Sequence, residues 1–89
     1  MPVIQVPSSL RRYTGQQARL SVPGGTVAEA LRGLTEAAPE MHGHLFAAEA
    51  LRPFVLVSKN GQDIRLLQGL DTPLGETDEI RILASIAGG

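Results

Sequence analysis

The sequence has no cysteine, only one lysine and few aromatic side chains, which make up 3% of its 89 residues. Without cysteine, the chain can form no disulfide, no thiolate metal site and no thiol nucleophile. Its longest apolar runs span only a few residues, and no charged, apolar leader opens it. We therefore expect a soluble, cytoplasmic protein with no membrane partner. The net charge of −1 gives no sign of a nucleic-acid partner.

The scarcity of lysine has two explanations. Lys59 is the only lysine, and the other basic residues are arginines. An arginine-favouring codon usage accounts for this. A protein that carries an activated carboxylate would also benefit from having few amines to attack it. The composition leaves both explanations open, and its 43% hydrophobic and 19% charged content predicts one small globular domain.

Hydrophobic patterning predicts five strands and one main helix. Thr26 is a good N-cap, and Glu29 three residues later completes a capping box for a helix that Pro39 ends. Asn60-Gly61 is a strong hairpin signal. The predicted strands cover 3–6, 18–22, 54–59, 64–67 and 80–84. Residues 7–17 form a long connection, 40–52 contain a helical turn around Leu45-Phe46-Ala47, and 76–79 are an acidic connection with solvated side chains.

This order of elements predicts an α+β domain. Two strands, a crossover helix and three more strands give a mixed sheet of four to five strands, with the helix packed across one face. If the first and last strands are central neighbours, they run parallel and the chain leaves from the end of the sheet. That is the ubiquitin-like β-grasp arrangement. The domain would cover residues 1–84, and 85–89 would form a flexible tail.

Gly88 and Gly89 stand last in the sequence. Two glycines carry a carboxylate on a stem without side chains, which can thread a narrow channel and offer the carboxylate for activation. A frayed end is the alternative explanation.

Other motifs give weaker signals. His42 and His44 have no cysteine near them, and two imidazoles do not make a zinc site, so we expect no bound metal. Gly24-Gly25-Thr26 precedes a helix as anion-binding loops do, but it lacks the lysine and the spacing of a P-loop. Capping of the helix explains it.

The chain resembles the bacterial MoaD/ThiS family of ubiquitin-like sulfur carriers, and among them most closely the carriers of cysteine synthesis. The resemblance covers nearly the whole chain. The segments that carry it are 7–16 (PSSLRRYTGQ), Phe54-Val55, Asn60, Asp63-Ile64-Arg65, Gly69-Leu70 and 82–89 (ILASIAGG).

The resemblance implies a protein-borne substrate rather than an enzyme. An E1-like partner would use ATP to adenylate the carboxylate of Gly89, and sulfide or a persulfide would convert it to a thiocarboxylate. No cofactor would be bound by the chain itself. Gly88, Ala87 and Ile86 would thread into the partner, and Phe54, Leu56 and Leu83 are candidates for a docking surface, although each could instead belong to the core.

The sulfur acceptor would be a cysteine synthase-like enzyme. Within the family, the alternative is the small subunit of molybdopterin synthase, whose tail enters a large catalytic subunit. A further alternative is a ubiquitin-like modifier joined through Gly89 to lysines of other proteins. The last is a β-grasp interaction domain whose glycines have no role.

Overall fold

A computed structural model describes residues 1–48 and 50–84. The predicted tail, with Ile86, Ala87, Gly88 and Gly89, lies outside these residues. The strands are β1 (Val3–Gln5), β2 (Arg19–Ser21), β3 (Phe46–Ala47), β4 (Ala50–Leu51), β5 (Val55–Lys59), β6 (Gln62–Asp63) and β7 (Glu79–Ala84). The helices are α1 (Val27–Ala37) and α2 (His42–Leu45), with 3-10 turns at Ser8–Thr14, Pro39–Met41, Ile64–Leu66 and Gly69–Asp71.

Five strands form one mixed sheet in the order β2-β1-β7-β5-β6. The central pair β1 and β7 runs parallel, with Ile4 opposite Ile80, and the other neighbours run antiparallel. A single long helix, α1, packs its buried stripe against this sheet. The predicted β-grasp fold and its parallel central pair are therefore confirmed.

The start of α1 shows why the helix begins where the sequence predicts. The Thr26 hydroxyl accepts a hydrogen bond from the Glu29 N–H at 3.2 Å, and the Glu29 carboxylate accepts one from the Gly25 N–H at 2.8 Å. These bonds occupy backbone donors that a helix start leaves unpaired. The capping box is confirmed with one difference. The Glu29 carboxylate accepts from the N–H of Gly25, one residue before the N-cap Thr26, whose own N–H is the usual donor. Farther along the chain, Asn60 and Gly61 have the positive φ angles (50° and 87°) that the tight β5–β6 hairpin requires.

Two segments differ from the predicted elements. The returning strand predicted at 64–67 is wrong, because β6 ends at Asp63 and a 3-10 turn follows. Asp63 accepts a hydrogen bond from the Arg65 N–H at 2.9 Å, which stabilises the turn and places Ile64 in the core. The helical turn predicted around Leu45-Phe46-Ala47 is also wrong in part. The helix α2 ends at Leu45, and β3 and β4 form a small hairpin that reverses at Ala48, whose φ is 58°.

The long connection predicted at 7–17 is not irregular throughout. It contains the 3-10 helix Ser8–Thr14, which Gly15 ends in a left-handed conformation with a φ of 65°. Leu10 is buried in the core, and Tyr13 packs against the core while remaining partly exposed. Both residues anchor the connection to the core.

The first residues of β7 are fixed by Asp78. One of its carboxylate oxygens accepts a hydrogen bond from the Gly75 N–H at 2.7 Å, and the other accepts one from the Asn60 side chain at 2.9 Å. The Lys59 ammonium lies 3.6 Å from the Asp78 carboxylate and donates a hydrogen bond to the Pro73 carbonyl. These contacts hold the pKa of Asp78 below its usual value. The hydrogen bond from Gly75 lowers this pKa most, and the hydrogen bond from Asn60 has the next largest effect. The solvated acidic connection predicted here is therefore wrong at Asp78.

Asp78→Asn is expected to lower the free energy of unfolding by about 1–2 kcal/mol at neutral pH, because hydrogen bonds to a charged acceptor are lost. The folded-state pKa lies below the unfolded value of about 3.9, so the carboxylate stabilises the fold above about pH 4. That contribution disappears as the pH falls through the folded-state pKa. Urea unfolding of both proteins from neutral to strongly acidic pH measures the difference. Asp71→Asn, at an exposed aspartate, is the control. A difference that stays constant with pH would contradict this account.

Candidate functional site

The last strand of the sheet presents two different faces. Ile80 and Ile82 point into the core and are fully buried, whereas Arg81 and Leu83 are exposed on the opposite face of the sheet. This follows from the period of two along a strand. We call the sheet surface opposite α1 the outer face. The same strand therefore contributes to the core and to the candidate site.

Beyond Arg81, β7 pairs with a strand on one side only within the described residues. β1 pairs with β7 as far as Gln5, opposite Arg81. Pro7 lies two residues after the end of β1, and proline lacks the backbone N–H that further pairing with β7 would require. β5 continues alongside, with Leu56 opposite Leu83 and Val55 opposite Ala84. The chain therefore reaches Ala84 beside β5, at the edge of the outer face.

Three large apolar side chains are exposed near this point. Phe54 is 39% exposed, Leu56 38% and Leu83 50%. Leu56 and Leu83 are directly opposite each other across the β5–β7 ladder, and Phe54 immediately precedes β5. We call these three residues the apolar patch. The structure shows that none of them belongs to the buried core, and a docking role for them stays a prediction.

Polar side chains occupy the outer face next to the apolar patch. Gln5 accepts a hydrogen bond from the Arg81 guanidinium at 3.0 Å and donates one to Glu79. Glu79 also accepts a hydrogen bond from Arg19 at 2.9 Å, which makes an ion pair across β7, β1 and β2. Sequence patterning did not reveal this network, because its members are far apart in the chain and meet only through strand register. The acidic connection predicted at 76–79 is wrong at Glu79 as well, since Glu79 opens β7 and belongs to this network.

The two histidines each lie against an aromatic ring. His42 stacks on Phe46 with a ring-centre distance of 5.2 Å, and His44 lies against Tyr13 at 4.9 Å. Within 1–48 and 50–84, no three metal-ligating side chains of histidine, cysteine, aspartate or glutamate are grouped together.

No helix in the described part of the chain has the length and apolar character that crossing a bilayer requires.

Comparison with known proteins gives concordant results. The sequence model of the ThiS family matches residues 4–89. The chain is 29% identical to the sulfur carrier protein CysO of Mycobacterium tuberculosis, over 97% of this chain and 96% of that protein. It is 33% identical to small archaeal modifier protein 3 of Haloferax volcanii, over 72% of this chain and 70% of that protein. A chain in the crystal structure of the Amycolatopsis orientalis BexX/CysO complex superposes with a TM-score of 0.92, at 28% identity and full coverage of both chains.

Proposed function

The chain belongs to the ThiS family of ubiquitin-like sulfur carriers, and from this premise we propose that it carries sulfur as a thiocarboxylate on Gly89 and supplies it to cysteine biosynthesis. The protein acts as a substrate of partner enzymes. One partner is an E1-like adenylating enzyme that uses ATP, and the other is a cysteine synthase-like acceptor.

The observation that carries this proposal is the course of β7. The strand is held at the centre of the sheet by β1 and β5 and reaches Ala84 next to the apolar patch. Five residues follow in the sequence, ending in Gly88 and Gly89, and the family match includes them. A rigid domain with a docking surface at the base of a glycine stem is what delivery of a carboxylate to another protein requires.

The proposed chemistry has two steps. The Gly89 carboxylate oxygen attacks the α-phosphorus of ATP, pyrophosphate leaves, and an acyl adenylate forms. Hydrogen sulfide anion then attacks the acyl carbon. Alternatively, the outer sulfur of a persulfide attacks this carbon and forms an acyl disulfide, and a thiol then attacks the inner sulfur, which breaks the S–S bond, releases the thiocarboxylate and leaves a mixed disulfide. The carbon–oxygen bond to AMP breaks, AMP leaves with the electron pair, and the thiocarboxylic acid loses its proton. Adenylation is needed because a free carboxylate oxygen is a poor leaving group.

The chain's own residues contribute positioning to these steps. Gly88 and Gly89 add no side chain to the stem, so it can enter a narrow channel. Ile86 and Ala87 provide apolar contacts at the channel entrance. Phe54, Leu56 and Leu83 supply an exposed apolar area at the base of the stem, and such area contributes binding energy when a partner covers it.

Leu83→Ser is expected to raise the KM of the activating enzyme for this protein by about tenfold, with kcat nearly unchanged. Loss of a leucine buried in an interface removes about 1.5 kcal/mol or more of binding energy. The melting temperature should change little, because Leu83 is 50% exposed. Steady-state kinetics measures the effect. Leu66→Ser is the matched control, since Leu66 is 82% exposed in the turn that follows β6. Equal kinetics for the two variants would exclude the apolar patch from docking.

The acceptor can be identified with thiocarboxylated protein. The sample is offered to a cysteine synthase with an activated serine, or to a molybdopterin synthase large subunit with its pterin precursor. In the first reaction the thiocarboxylate sulfur attacks the serine β-carbon, the activating group leaves, and a thioester between Gly89 and cysteine forms. Water then hydrolyses the acyl–sulfur bond, which releases cysteine and regenerates the Gly89 carboxylate. We expect cysteine from the first mixture and no dithiolene product from the second. The CysO relatives favour this outcome, and the reverse result would assign the protein to molybdenum cofactor synthesis.

A second candidate function is protein modification. The relative from Haloferax volcanii is a small archaeal modifier protein, with 33% identity to this chain. In that reaction a lysine amine of a target protein would attack the acyl adenylate of Gly89 and form an isopeptide bond with loss of AMP. Immunoblots of cells would then show higher-mass conjugates that vanish when Gly89 is deleted. A single band in wild-type cells would leave sulfur transfer as the function.

A further inference from the structure

Three arginines meet at the edge of the outer face beside the end of β7. Arg11, Arg19 and Arg81 line one shallow groove together with Gln5 and Leu83. The described residues that line this groove include no carboxylate. The neighbouring Glu79 offsets one of the three positive charges through its ion pair with Arg19. The chain as a whole has a net charge of −1, so positive charge is concentrated at this edge.

Hydrogen bonds orient the three guanidinium groups. Arg81 donates from Nε to Gln5 at 3.0 Å, and Arg11 donates from Nε to the Val6 carbonyl at 3.0 Å. Arg19 uses one Nη group to reach Glu79. A guanidinium has five N–H donors, so each of these bonds uses only part of its capacity. Arginines that are already oriented lose less entropy when an anion binds.

We propose that this arginine groove binds an acidic segment of the activating enzyme and selects that partner, an inference that rests on the proposed function. Arg81 and Arg19 are on either side of Gln5 in the strand register, two strand spacings or about 10 Å apart. Such spacing suits a run of carboxylates better than one small anion. Arginine and carboxylate groups form paired hydrogen bonds, which give direction as well as attraction.

The groove also continues into the apolar patch, because Leu83 belongs to both. A partner segment that covers Leu83 therefore brings its flanking side chains over Arg81 and Arg11. Opposite charges at the edge of an interface chiefly accelerate association and exclude wrong partners. The apolar patch supplies binding energy, and the arginine groove supplies the choice of partner.

A titration that needs no enzyme tests the groove. The full chain, labelled with ¹⁵N, is titrated by NMR with a synthetic peptide in which glutamates flank a central leucine. We expect shifts confined to the groove and the apolar patch, that is, to β1, the 3-10 helix Ser8–Thr14, β2, the start of β5 with Phe54, and the end of β7. Binding should be about tenfold weaker in Arg19→Gln/Arg81→Gln. Arg32→Gln, on the exposed side of α1, is the control and should bind like the wild type. No binding, shifts elsewhere, equal losses in the control, or tighter binding of a short single-stranded RNA would each overturn the proposal.

Kinetics with the activating enzyme separates this proposal from the function on which it rests. If the enzyme thiocarboxylates the wild type, Arg19→Gln/Arg81→Gln should raise KM about tenfold and weaken its dependence on salt, with kcat retained. An unchanged KM would overturn the role of the groove while leaving the carrier function intact. If the wild type is never thiocarboxylated, the carrier function fails, and the peptide titration still decides whether the groove binds acidic segments.

Discussion

Deletion of Gly89 is expected to abolish thiocarboxylation while the melting temperature stays nearly unchanged. The truncated chain still ends in a carboxylate, on Gly88, but its stem is shorter by one residue, or about 3.5 Å. The reacting carbon would then stop short of the adenylating centre. Because a misplacement of about 1 Å can reduce a rate by about 10²-fold, we expect a loss at least that large. Turnover is measured as pyrophosphate release with the activating enzyme, ATP and sulfide.

The stability of the truncated protein separates a reactive terminus from a structural one. A terminal residue buries little surface, so thermal unfolding should match the wild type. A loss of several degrees would show that Gly89 supports the fold. Retention of the wild-type rate by the shortened chain would show that its carboxylate is not the reacting group.

Ile82→Ala is expected to destabilise the fold by about 2–5 kcal/mol, since it removes a buried side chain from the central strand and leaves a cavity. Ile82 is 1% exposed and is opposite Val57 in the β5–β7 ladder. A loss of this size is a large fraction of the total stability of a domain of 89 residues. Urea unfolding followed by circular dichroism measures it.

Leu83→Ala is the matched control for this effect. Leu83 is the next residue in β7 and is exposed on the other face of the sheet, so its truncation should change the free energy of unfolding by less than about 1 kcal/mol. Equal losses at positions 82 and 83 would contradict the assignment of the two faces.

The local signals in the sequence predict most of the fold. The capping residues of α1, the Asn60-Gly61 turn and the apolar alternation in β7 each act within a few residues, and the structure confirms all three. The parallel pairing of β1 and β7 was also predictable, because the order of strands and helix leaves few topologies.

The parts that sequence patterning missed depend on contacts made across the fold. The pattern predicts a strand at Ile64, which is apolar and follows the Asn60-Gly61 turn. Instead, Arg65 donates hydrogen bonds from its backbone N–H and its guanidinium to the Asp63 carboxylate, and the chain turns there. The hydrogen bonds from Gln5 and Arg19 to Glu79 join residues that are 74 and 60 positions apart. No periodicity within one strand shows such a network. The sequence leaves open whether Leu56 is exposed or belongs to the core, because a continuous apolar run does not tell which face is covered, and the structure shows it exposed.

The central claim is that Gly89 becomes a thiocarboxylate, and intact-mass spectrometry tests it most directly. The wild-type chain is incubated with the activating enzyme, ATP and sulfide, and a parallel sample omits ATP. We predict a mass increase equal to the difference between one sulfur and one oxygen atom, located at Gly89 by fragmentation and absent without ATP. An unchanged mass with every cognate activating enzyme, or a sulfur atom located elsewhere in the chain, would contradict the account.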